Sequence, residues 1–432
     1  MNIAIIGAGP TGLTAAWELS KSGTRHITIY DKDINDIGGL AGAVPINETY
    51  IDKFYHHIFT SDTDILNLIN EMGLSDDILW SEPKNGIYIN DTLYPFTNPI
   101  DLITLPEVSL ISRFRMGFAV LMAKNVKDYL SMEGINAKNW LIGKTGQDAY
   151  EKIWRNLLYS KFDNDADDVS GVWIWNKFKL RGSTRQKINK EMLGYLRGSF
   201  FRLYETLAEN LKKSGVKIIY EPVNHISADC GKVTVETEHS DIVYDKVLFT
   251  GAPVLLNKLC KLSGDYAANA VFTKYKSNIC MTIITRQQIS GYYWITIAQR
   301  GAPFVLYIEH TNLIKDPDYK DKHIIYLSRY IDESDEFFNT SDDEIKSVFI
   351  EYLNRLFPGF RSEAVIDSYI NRAVYAQPVI GMHYSKRLLP FETPIKGLYL
   401  ASMAQIYPED RGQNYAVNMG GKIARIMNEG QL

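Results

Sequence analysis

The sequence predicts a mixed α/β fold, α+β overall, in which two domains are interleaved along one chain. Residues 2–30 show a strand, a helix and a second strand in succession, and residues 397–427 repeat the order of strand then helix. Between them, residues 277–330 carry several alternating apolar and polar runs, which predict a second, mostly antiparallel sheet. Strands from the beginning, middle and end of the chain should therefore form one sheet, and the other segments a second domain.

The size of the chain agrees with two domains. Its 432 residues exceed the roughly 250–300 residues that one hydrophobic core organises. Hydrophobic residues make up 45% and charged residues 23% of the chain, which is the composition of a globular protein. A disordered or fibrous class is therefore excluded.

Charge and cysteine content narrow the class of partner. The 47 basic and 51 acidic residues give a net charge of −4 and form no basic stripe, so we expect no nucleic acid partner. Cys230, Cys260 and Cys280 match neither a zinc nor a disulfide pattern, and no other spacing indicates a metal. We therefore expect three buried thiols, no metal and, since the N-terminus also lacks a secretory pattern, a cytoplasmic location.

One apolar stretch leaves two interpretations open. Residues Leu110–Ala123 are apolar enough for an amphipathic helix lying in a membrane interface. We favour a helix that covers the substrate pocket, and membrane contact is the alternative.

The first thirty residues carry a dinucleotide-binding pattern of the Rossmann type. GAGPTG lies where a strand turns into a helix, so its glycines permit a tight turn and the helix N-terminus faces phosphate groups. An acidic residue about twenty positions further on ends the second strand, where a carboxylate accepts hydrogen bonds from ribose hydroxyls. The predicted cofactor contacts of this unit are Gly7, Gly9, Pro10, Thr11, Gly12, Asp31 and Lys32.

Two segments downstream resemble a known family. The glycine-rich segment 38–42 (GGLAG) and the segment 52–59 (DKFYHHIF) are similar to flavin-contacting segments of the flavin amine oxidase and phytoene desaturase group. That group includes protoporphyrinogen oxidases and is structurally akin to UDP-galactopyranose mutase. The resemblance implies FAD as the cofactor, approached by Gly39, Leu40, Ala41, His56 and His57.

The resemblance makes His57 the candidate catalytic residue. In the mutases, the corresponding stretch places a histidine near the flavin ring. Two adjacent histidines in a strand would point to opposite faces, so at most one of His56 and His57 should face the flavin. The sequence contains no Ser/His/Asp arrangement and no paired carboxylates, so His57 is the one titrating group that we expect to act.

The C-terminal segment 397–425 is similar to the family's second flavin motif, in which a strand ends at the ribityl chain and a helix begins beneath the pyrimidine edge. Where many members carry Gly-Asp, this chain has Ser402-Met403, so the usual carboxylate contact is missing, and Asp410 or Arg411 is expected nearby. Further family-based FAD contacts are Val223, Gly251, Ser402, Met403, Arg411, Gly412, Asn414 and Tyr415.

Together these features predict an FAD-dependent oxidoreductase with noncovalent FAD, taking hydride from a C–N or C–C bond of a moderately large, partly apolar molecule to flavin N5. The alternative is a redox-neutral nucleotide-sugar mutase, and a scaffold that binds FAD without turnover is a third hypothesis. A mutase needs ligands for a diphosphate, and the candidate substrate contacts are Arg181, Arg185, Arg197, Arg372, Tyr375, Tyr407 and Arg411.

The expected domain division follows from these segments. Residues 1–75, 195–265 and 390–432 should form a discontinuous FAD-binding domain. Residues 76–194 and 266–389 should form the substrate or cap domain.

Overall fold

The computed structural model describes residues 1–23, 26–34, 37–183 and 191–429. The strands in this part of the chain are β1 (Asn2–Ile6), β2 (His26–Asp31), β3 (Ala43–Ile46), β4 (Thr49–Asp52), β5 (Ile58–Phe59), β6 (Ile78–Ser81), β7 (Asn85–Ile89), β8 (Thr92–Pro95), β9 (Leu193–Leu196), β10 (Lys217–Tyr220), β11 (His225–Asp229), β12 (Lys232–Glu236), β13 (Asp241–Tyr244), β14 (Lys246–Phe249), β15 (Tyr275–Thr285), β16 (Trp294–Ile297), β17 (Leu306–Glu309), β18 (His323–Ile331), β19 (Val365–Pro378) and β20 (Leu398–Leu400).

The α-helices alternate with these strands. They are α1 (Pro10–Lys21), α2 (Thr63–Glu71), α3 (Pro99–Thr104), α4 (Leu110–Ala123), α5 (Ala137–Thr145), α6 (Gln147–Ala149), α7 (Arg155–Phe162), α8 (Gly171–Ser183), α9 (Phe201–Lys213), α10 (Pro253–Leu259), α11 (Gly264–Phe272), α12 (Asp342–Leu356) and α13 (Gln413–Glu429). The five residues between α6 and α7, Tyr150–Trp154, form a π-helical segment, so that residues 147–162 follow one continuous helical path.

A five-stranded parallel sheet unites the beginning, middle and end of the chain. Its order is β10-β2-β1-β14-β20, and each neighbouring pair runs parallel. Because parallel strands need crossover connections, the intervening segments are carried out of this sheet and back into it. The prediction of one sheet built from distant segments is confirmed.

Side chains of β1 alternate between the two faces of this sheet. Ile3 and Ile5 belong to a core cluster shared with α1, α9 and α13, whereas Ala4 and Ile6 pack toward the antiparallel sheet β11-β12-β13. The hydroxyls of Tyr30 and Tyr244 lie 2.7 Å apart between these layers. Both faces of the central strand are therefore buried, as its apolar run predicts.

The second large sheet has seven strands in the order β19-β15-β18-β17-β16-β7-β8. All neighbours are antiparallel except β16 and β7, which run parallel, so the predicted mostly antiparallel sheet is confirmed. A hairpin joins β7 and β8, and its turn residues Asn90 and Asp91 have φ values of 49° and 57°. Helix α12 packs over one face of this sheet.

One prediction about the cysteines is wrong. Cys260 and Cys280 are buried, but Cys230 is exposed. It occupies the turn between β11 and β12, with a φ of 48°, next to Gly231. A hairpin turn projects its residues into solvent, and an apolar preference of the thiol does not override that position.

Candidate functional site

The glycine loop after β1 is held in a fixed shape by backbone hydrogen bonds. Gly7 has a φ of +110° and donates its N–H to the carbonyl of Tyr30 at 2.8 Å. The N–H of Ala8 donates to a carboxylate oxygen of Asp31 at 2.6 Å. Asp31 therefore ties the loop to the end of β2.

Gly12 is needed for packing of the loop on its helix. A Cβ atom added at Gly12 would lie 2.0 Å from the carbonyl oxygen of Gly7. A second loop, at Gly38 and Gly39, packs alongside, since the N–H of Gly38 donates to the carbonyl of Ala8 at 2.9 Å. The two glycine loops form adjoining parts of one surface.

That surface is one end of a cavity of about 1500 Å³. Ligand pockets in proteins commonly have roughly 300–1,000 Å³, so the space accommodates a large cofactor together with another molecule. The wall contains these predicted residues: Gly7, Gly9, Pro10, Thr11, Asp31, Lys32, Gly39, Leu40, Ala41, His56, His57, Val223, Gly251, Arg372, Tyr375, Ser402, Met403, Arg411, Gly412, Asn414 and Tyr415.

Other candidates lie elsewhere. Gly12 packs against the loop behind the wall. Tyr407 is not part of the described cavity wall; its hydroxyl donates to Glu133 and its ring packs on Tyr129 and Tyr384. Arg197 is exposed at the end of β9 and is not part of the described wall. The side chain of Arg181 and all of Arg185 lie outside the described residues.

The two histidines precede β5 and do not lie within a strand, so the strict alternation expected for them does not apply. Both line the cavity, but their rings contact different groups. His56 packs edge-on against Phe200, whereas Nδ1 of His57 lies 3.1 Å from the hydroxyl of Tyr293, beside Trp294.

Both rings are neutral at pH 7. Burial, followed by the charge of Lys177, lowers the pKa of His57 to about 4. Burial, followed by the charge of Arg411, lowers the pKa of His56 to about 3. Neither histidine is in the doubly protonated imidazolium form, so a ring acts here as a hydrogen-bond partner or proton acceptor.

The cavity wall also contains a buried carboxylate, Asp410. The part of the cavity around Asp410 is called the chamber. It accepts hydrogen bonds from Nε1 of Trp173 at 3.3 Å and from Nε2 of Gln377 at 3.2 Å. The ammonium of Lys177 forms an ion pair with its other oxygen. The pKa of Asp410 is held well below its usual range: burial acts in the opposite direction, but Lys177, Lys161 and Arg411 outweigh it.

Arg411 connects this carboxylate to the antiparallel sheet. Its guanidinium donates to the hydroxyl of Tyr330 at 2.6 Å and to the side-chain oxygen of Gln377 at 2.9 Å. The Tyr330 hydroxyl in turn lies 3.2 Å from that of Tyr55. Arg411, predicted at the flavin-facing helix, is thus fixed in the chamber.

The N-terminus of α13 also reaches the cavity, next to α1. The hydroxyl of Thr11 donates to the carbonyl of Ala416 at 3.1 Å, which joins α13 to α1. The side chain of Asn414 accepts from the N–H of Ile65 at 3.1 Å. Ser402 is buried, and its hydroxyl lies 3.2 Å from that of Tyr275.

Sequence reasoning did not find Lys161, Trp173 and Lys177 as members of the site. They lie on α7 and α8, and only the fold brings them to Asp410. The available signal was the concentration of tryptophans and lysines at 154–179, which predicted helices but no partner for them.

One face of helix α4 lies against the cavity, as expected for a helix that covers the substrate pocket. Met116 and Val120 line the cavity wall. In the part of the chain that the structure describes, no helix is long and apolar enough to cross a membrane, and no cluster of metal-ligating side chains occurs.

The parallel sheet, the glycine loop and the cavity at its strand ends define a dinucleotide-binding type of fold. The chain belongs to the family of flavin containing amine oxidoreductases, whose model matches residues 10–410. Both the recognition of this family and the expected fold class are confirmed.

The relatives differ widely in identity, and a thiamine thiazole synthase from Thermotoga maritima is 41% identical over 190 residues, which cover 41% of this chain and 71% of that protein. Two oxidoreductases are more distant. A coproporphyrinogen III oxidase from Staphylococcus aureus is 23% identical over 284 residues, which cover 58% of this chain and 60% of that protein. A chloroplastic/chromoplastic zeta-carotene desaturase from Arabidopsis thaliana is 24% identical over 223 residues, covering 46% and 39%. The matched part thus spans less than two thirds of either oxidoreductase.

Solved structures share the fold over almost the whole chain. A putative protoporphyrinogen oxidase from Exiguobacterium sp. 255-15 has a TM-score of 0.80 at 16% identity, covering 100% of this chain and 99% of that chain. A reduced UDP-galactopyranose mutase has a TM-score of 0.76 at 15% identity, covering 98% and 96%. At these identities the likeness establishes the fold alone.

Proposed function

We propose that this protein binds FAD noncovalently in the cytoplasm and oxidises a C–N or C–C bond of a moderately large, partly apolar substrate. The observation that carries this proposal is a continuous cavity, which extends from the glycine loop to the chamber and is lined there by aromatic and aliphatic side chains. Bound FAD would accept a hydride equivalent at N5, and the protein would supply position, electrostatics and exclusion of water.

The residues of the wall fit such a cofactor. At Gly7 the Thr250 side chain leaves no room for a side chain, since an added Cβ would lie 2.3 Å from the Thr250 hydroxyl oxygen. The N-termini of α1 and α13 both reach the wall, and helix N-termini stabilise negative charge on phosphates and on a reduced flavin. We assign Asp31 and Val223 to the adenosine half.

Noncovalent binding is supported by the positions of the thiols. None of the three cysteines belongs to the described cavity wall, and the only exposed one lies at the turn between β11 and β12. Acid precipitation followed by chromatography would leave FAD in the supernatant. Colour that stays with the pellet would contradict this part of the proposal.

His57 is the residue to which we assign a catalytic role. Its neutral ring, fixed by the Tyr293 hydroxyl and by Trp294, lines the same cavity as Ser402 and Met403. A ring held there orients the substrate or accepts a proton at Nε2, while the aromatic walls exclude water.

A nucleotide-sugar mutase is the second candidate, and Arg411 in the chamber is the observation that favours it. Of the other arginines proposed for a diphosphate, Arg372 lines the wall but already bonds Asp342 and the carbonyls of Phe338 and Thr340. Arg372 is therefore already engaged within the protein, and we prefer the oxidoreductase.

The two candidates differ in how they use electrons. The flavin would be photoreduced without oxygen, and its absorption followed as air is admitted. Rapid recovery indicates an oxidase, and slow recovery a dehydrogenase or a mutase. Conversion of a UDP-sugar by the reduced protein, without net oxidation, would replace the proposed oxidoreductase by the mutase.

A further inference from the structure

We propose that the end of the chamber formed by Lys161, Lys177 and Arg411 binds an anionic group of the substrate, a carboxylate or a phosphate carried on an apolar skeleton. This inference deepens the proposed function and rests on it. It sets the substrate apart from the cationic amines after which the family is described.

Acidic and basic side chains are unequal in number at this end of the chamber. Lys161, Lys177 and Arg411 are three basic side chains that act on one another and on a single described carboxylate, Asp410. Asp410 already accepts hydrogen bonds from Lys177, Trp173 and Gln377. A buried excess of like charge is costly until a counter-charge arrives.

The Lys161 ammonium faces the cavity beside two aromatic rings. It lies 4.9 Å from the ring centre of Trp173 and 5.0 Å from that of Tyr330, and it lines the cavity. No hydrogen bond or ion pair to another described residue satisfies it. Its pKa is lowered well below its usual value, first by burial and then by Lys177. The Lys161 side chain is therefore positioned to donate a hydrogen bond to a ligand in the cavity.

The apolar part of the proposed substrate follows from the rest of the wall. Side chains from α3, α4, the π-helical segment, α7 and α8 surround the space beyond the charged end, and they are Leu102, Met116, Val120, Trp154, Leu157 and Phe178. A molecule with one anionic end and an apolar body complements both regions.

Three small probes test this proposal: 3-phenylpropionate, phenyl phosphate and 3-phenylpropylamine. Their binding to the flavin-loaded protein would be measured by titration calorimetry and by changes in the visible flavin band. We expect the better anion to bind at least about tenfold more tightly than the amine. The preferred anion then identifies the head group. Tighter binding of the amine, or no discrimination, would overturn the inference.

Substitutions of Lys161 test whether this side chain binds the anionic group. Lys161→Met should weaken anion binding about tenfold or more, and Lys161→Arg should retain most of it. Lys179→Met is the matched control, because Lys179 also lies on a tryptophan of α8 but is not part of the described wall. Equal anion affinity in Lys161→Met and in the unmodified protein would overturn the assignment.

A second readout separates a ligand role from a structural one. An anion next to Lys161 restores its ordinary tendency to hold a proton, so binding should take up protons from the buffer. The groups facing Lys161 are Lys177, Asp410, Arg411 and Tyr330. Calorimetry in two buffers of different ionisation enthalpy measures this uptake, which Lys161→Met should reduce.

Failure of this inference is distinguishable from failure of the proposed function. Flavin content is read from the spectrum alone. Bound flavin with a preference for the amine would overturn only the anion site. Absence of flavin with preserved anion binding would overturn only the proposed function.

A different observation carries a second inference: the outer face of α4 is apolar and exposed. Ile111 is 74%, Phe118 64% and Phe114 58% exposed, and these residues lie on one stripe of the helix. Ile100 of α3, 69% exposed, and Leu121 of α4, 61% exposed, extend the patch. Exposed apolar patches of this kind mark interaction surfaces.

We infer that this α3–α4 face docks on the surface of an anionic membrane. The side chains of Arg115, Lys124 and Lys127 are exposed in this segment, and residues 99–128 carry four basic side chains against the three acidic ones of Asp101, Glu107 and Asp128. Apolar residues flanked by cations favour the interface of anionic bilayers. Because the inner face of α4 lines the cavity, docking would bring the bilayer next to the apolar chamber.

Sedimentation with lipid vesicles tests the docking. The protein should sediment with vesicles of phosphatidylcholine and phosphatidylglycerol and much less with pure phosphatidylcholine. The double variant Phe114→Ser and Phe118→Ser should stay in solution with its flavin, whereas Val271→Ser, altered at a side chain 59% exposed on α11, should still sediment. No sedimentation, or a stable dimer that the double variant dissociates, would overturn the inference.

Discussion

The Nδ1 atom of His57 lies 3.1 Å from the phenolic oxygen of Tyr293. The two residues come from different parts of the fold, since His57 precedes β5 and Tyr293 precedes β16 of the seven-stranded sheet. The segment that contains His57 is predicted to run along the flavin. Its contact with Tyr293 joins this segment to the seven-stranded sheet, which contributes side chains to the cavity wall. It also fixes the ring, leaving Nε2 to face other groups.

Replacement of His57 by Ala should slow flavin reduction by at least about tenfold without loss of the flavin, because a positioned ring is removed from the chamber but the glycine loops stay intact. Stopped-flow absorption measures the rate, and the spectrum measures flavin content. His225→Ala, at an exposed position of β11, is the control. Equal rates in both variants would remove His57 from the mechanism.

The pH dependence of the same rate is a separate prediction. Burial and Lys177 lower the pKa of His57 to about 4, so its ring keeps one protonation state between pH 6 and 8. The logarithm of the rate of flavin reduction should therefore show no inflection from His57 in that interval. An inflection near pH 6.5 that disappears in His57→Ala would show that the ring is exposed to water.

Gly12→Ala should prevent flavin binding, because the added methyl group would meet the Gly7 carbonyl oxygen at 2.0 Å and displace the loop. The purified variant should contain less than about a tenth of the normal flavin, since displacement of phosphate-binding N–H groups costs more than about 1.4 kcal/mol. Gly143→Ala in α5, where no atom lies within 4 Å of the new Cβ, should keep its flavin. Normal flavin content in Gly12→Ala would contradict the assigned loop.

Ionisation of the Asp52 carboxyl should lower the free energy of unfolding as the pH rises. Burial raises the pKa of its carboxyl to about 7, against hydrogen bonds from Ser199 and from the Phe200 N–H. In the unfolded chain this group ionises near pH 4. Between these values the folded state holds one proton more than the unfolded state, so the free energy of unfolding falls by about 1.4 kcal/mol for each pH unit.

Urea unfolding between pH 4.5 and 8 measures this effect. Asp52→Asn should remove that contribution to the slope below pH 7, and Asp229→Asn, at an exposed hairpin end, should leave the slope unchanged. An identical slope in Asp52→Asn would mean that the carboxyl is ionised in the folded protein.

The sequence predicted the parts of the site that depend on local backbone patterns. The spacing of Gly7, Gly9 and Asp31 identified the loop because one turn and one strand end determine it. The alternation at 277–330 likewise identified the antiparallel sheet. The wall residues of α13 followed from the resemblance at the C-terminus.

The charged end of the chamber required the tertiary structure. Lys161 and Lys177 lie on different helices, and Asp410 lies more than 230 residues further along the chain than Lys177. No spacing within one segment indicates such a meeting. The contact between the Tyr407 hydroxyl and Glu133 was hidden for the same reason, because the position of Tyr407 near Arg411 in sequence gave no information about Glu133.

The visible absorption spectrum of the purified protein, before and after incubation with FAD, tests the central claim most directly. We predict a flavin band that survives gel filtration, and chromatography of the released cofactor that identifies FAD. Absence of a bound flavin band, even after incubation with FAD, would contradict the account. A band due to FMN alone would contradict the assignment of the strand ends to an adenosine group.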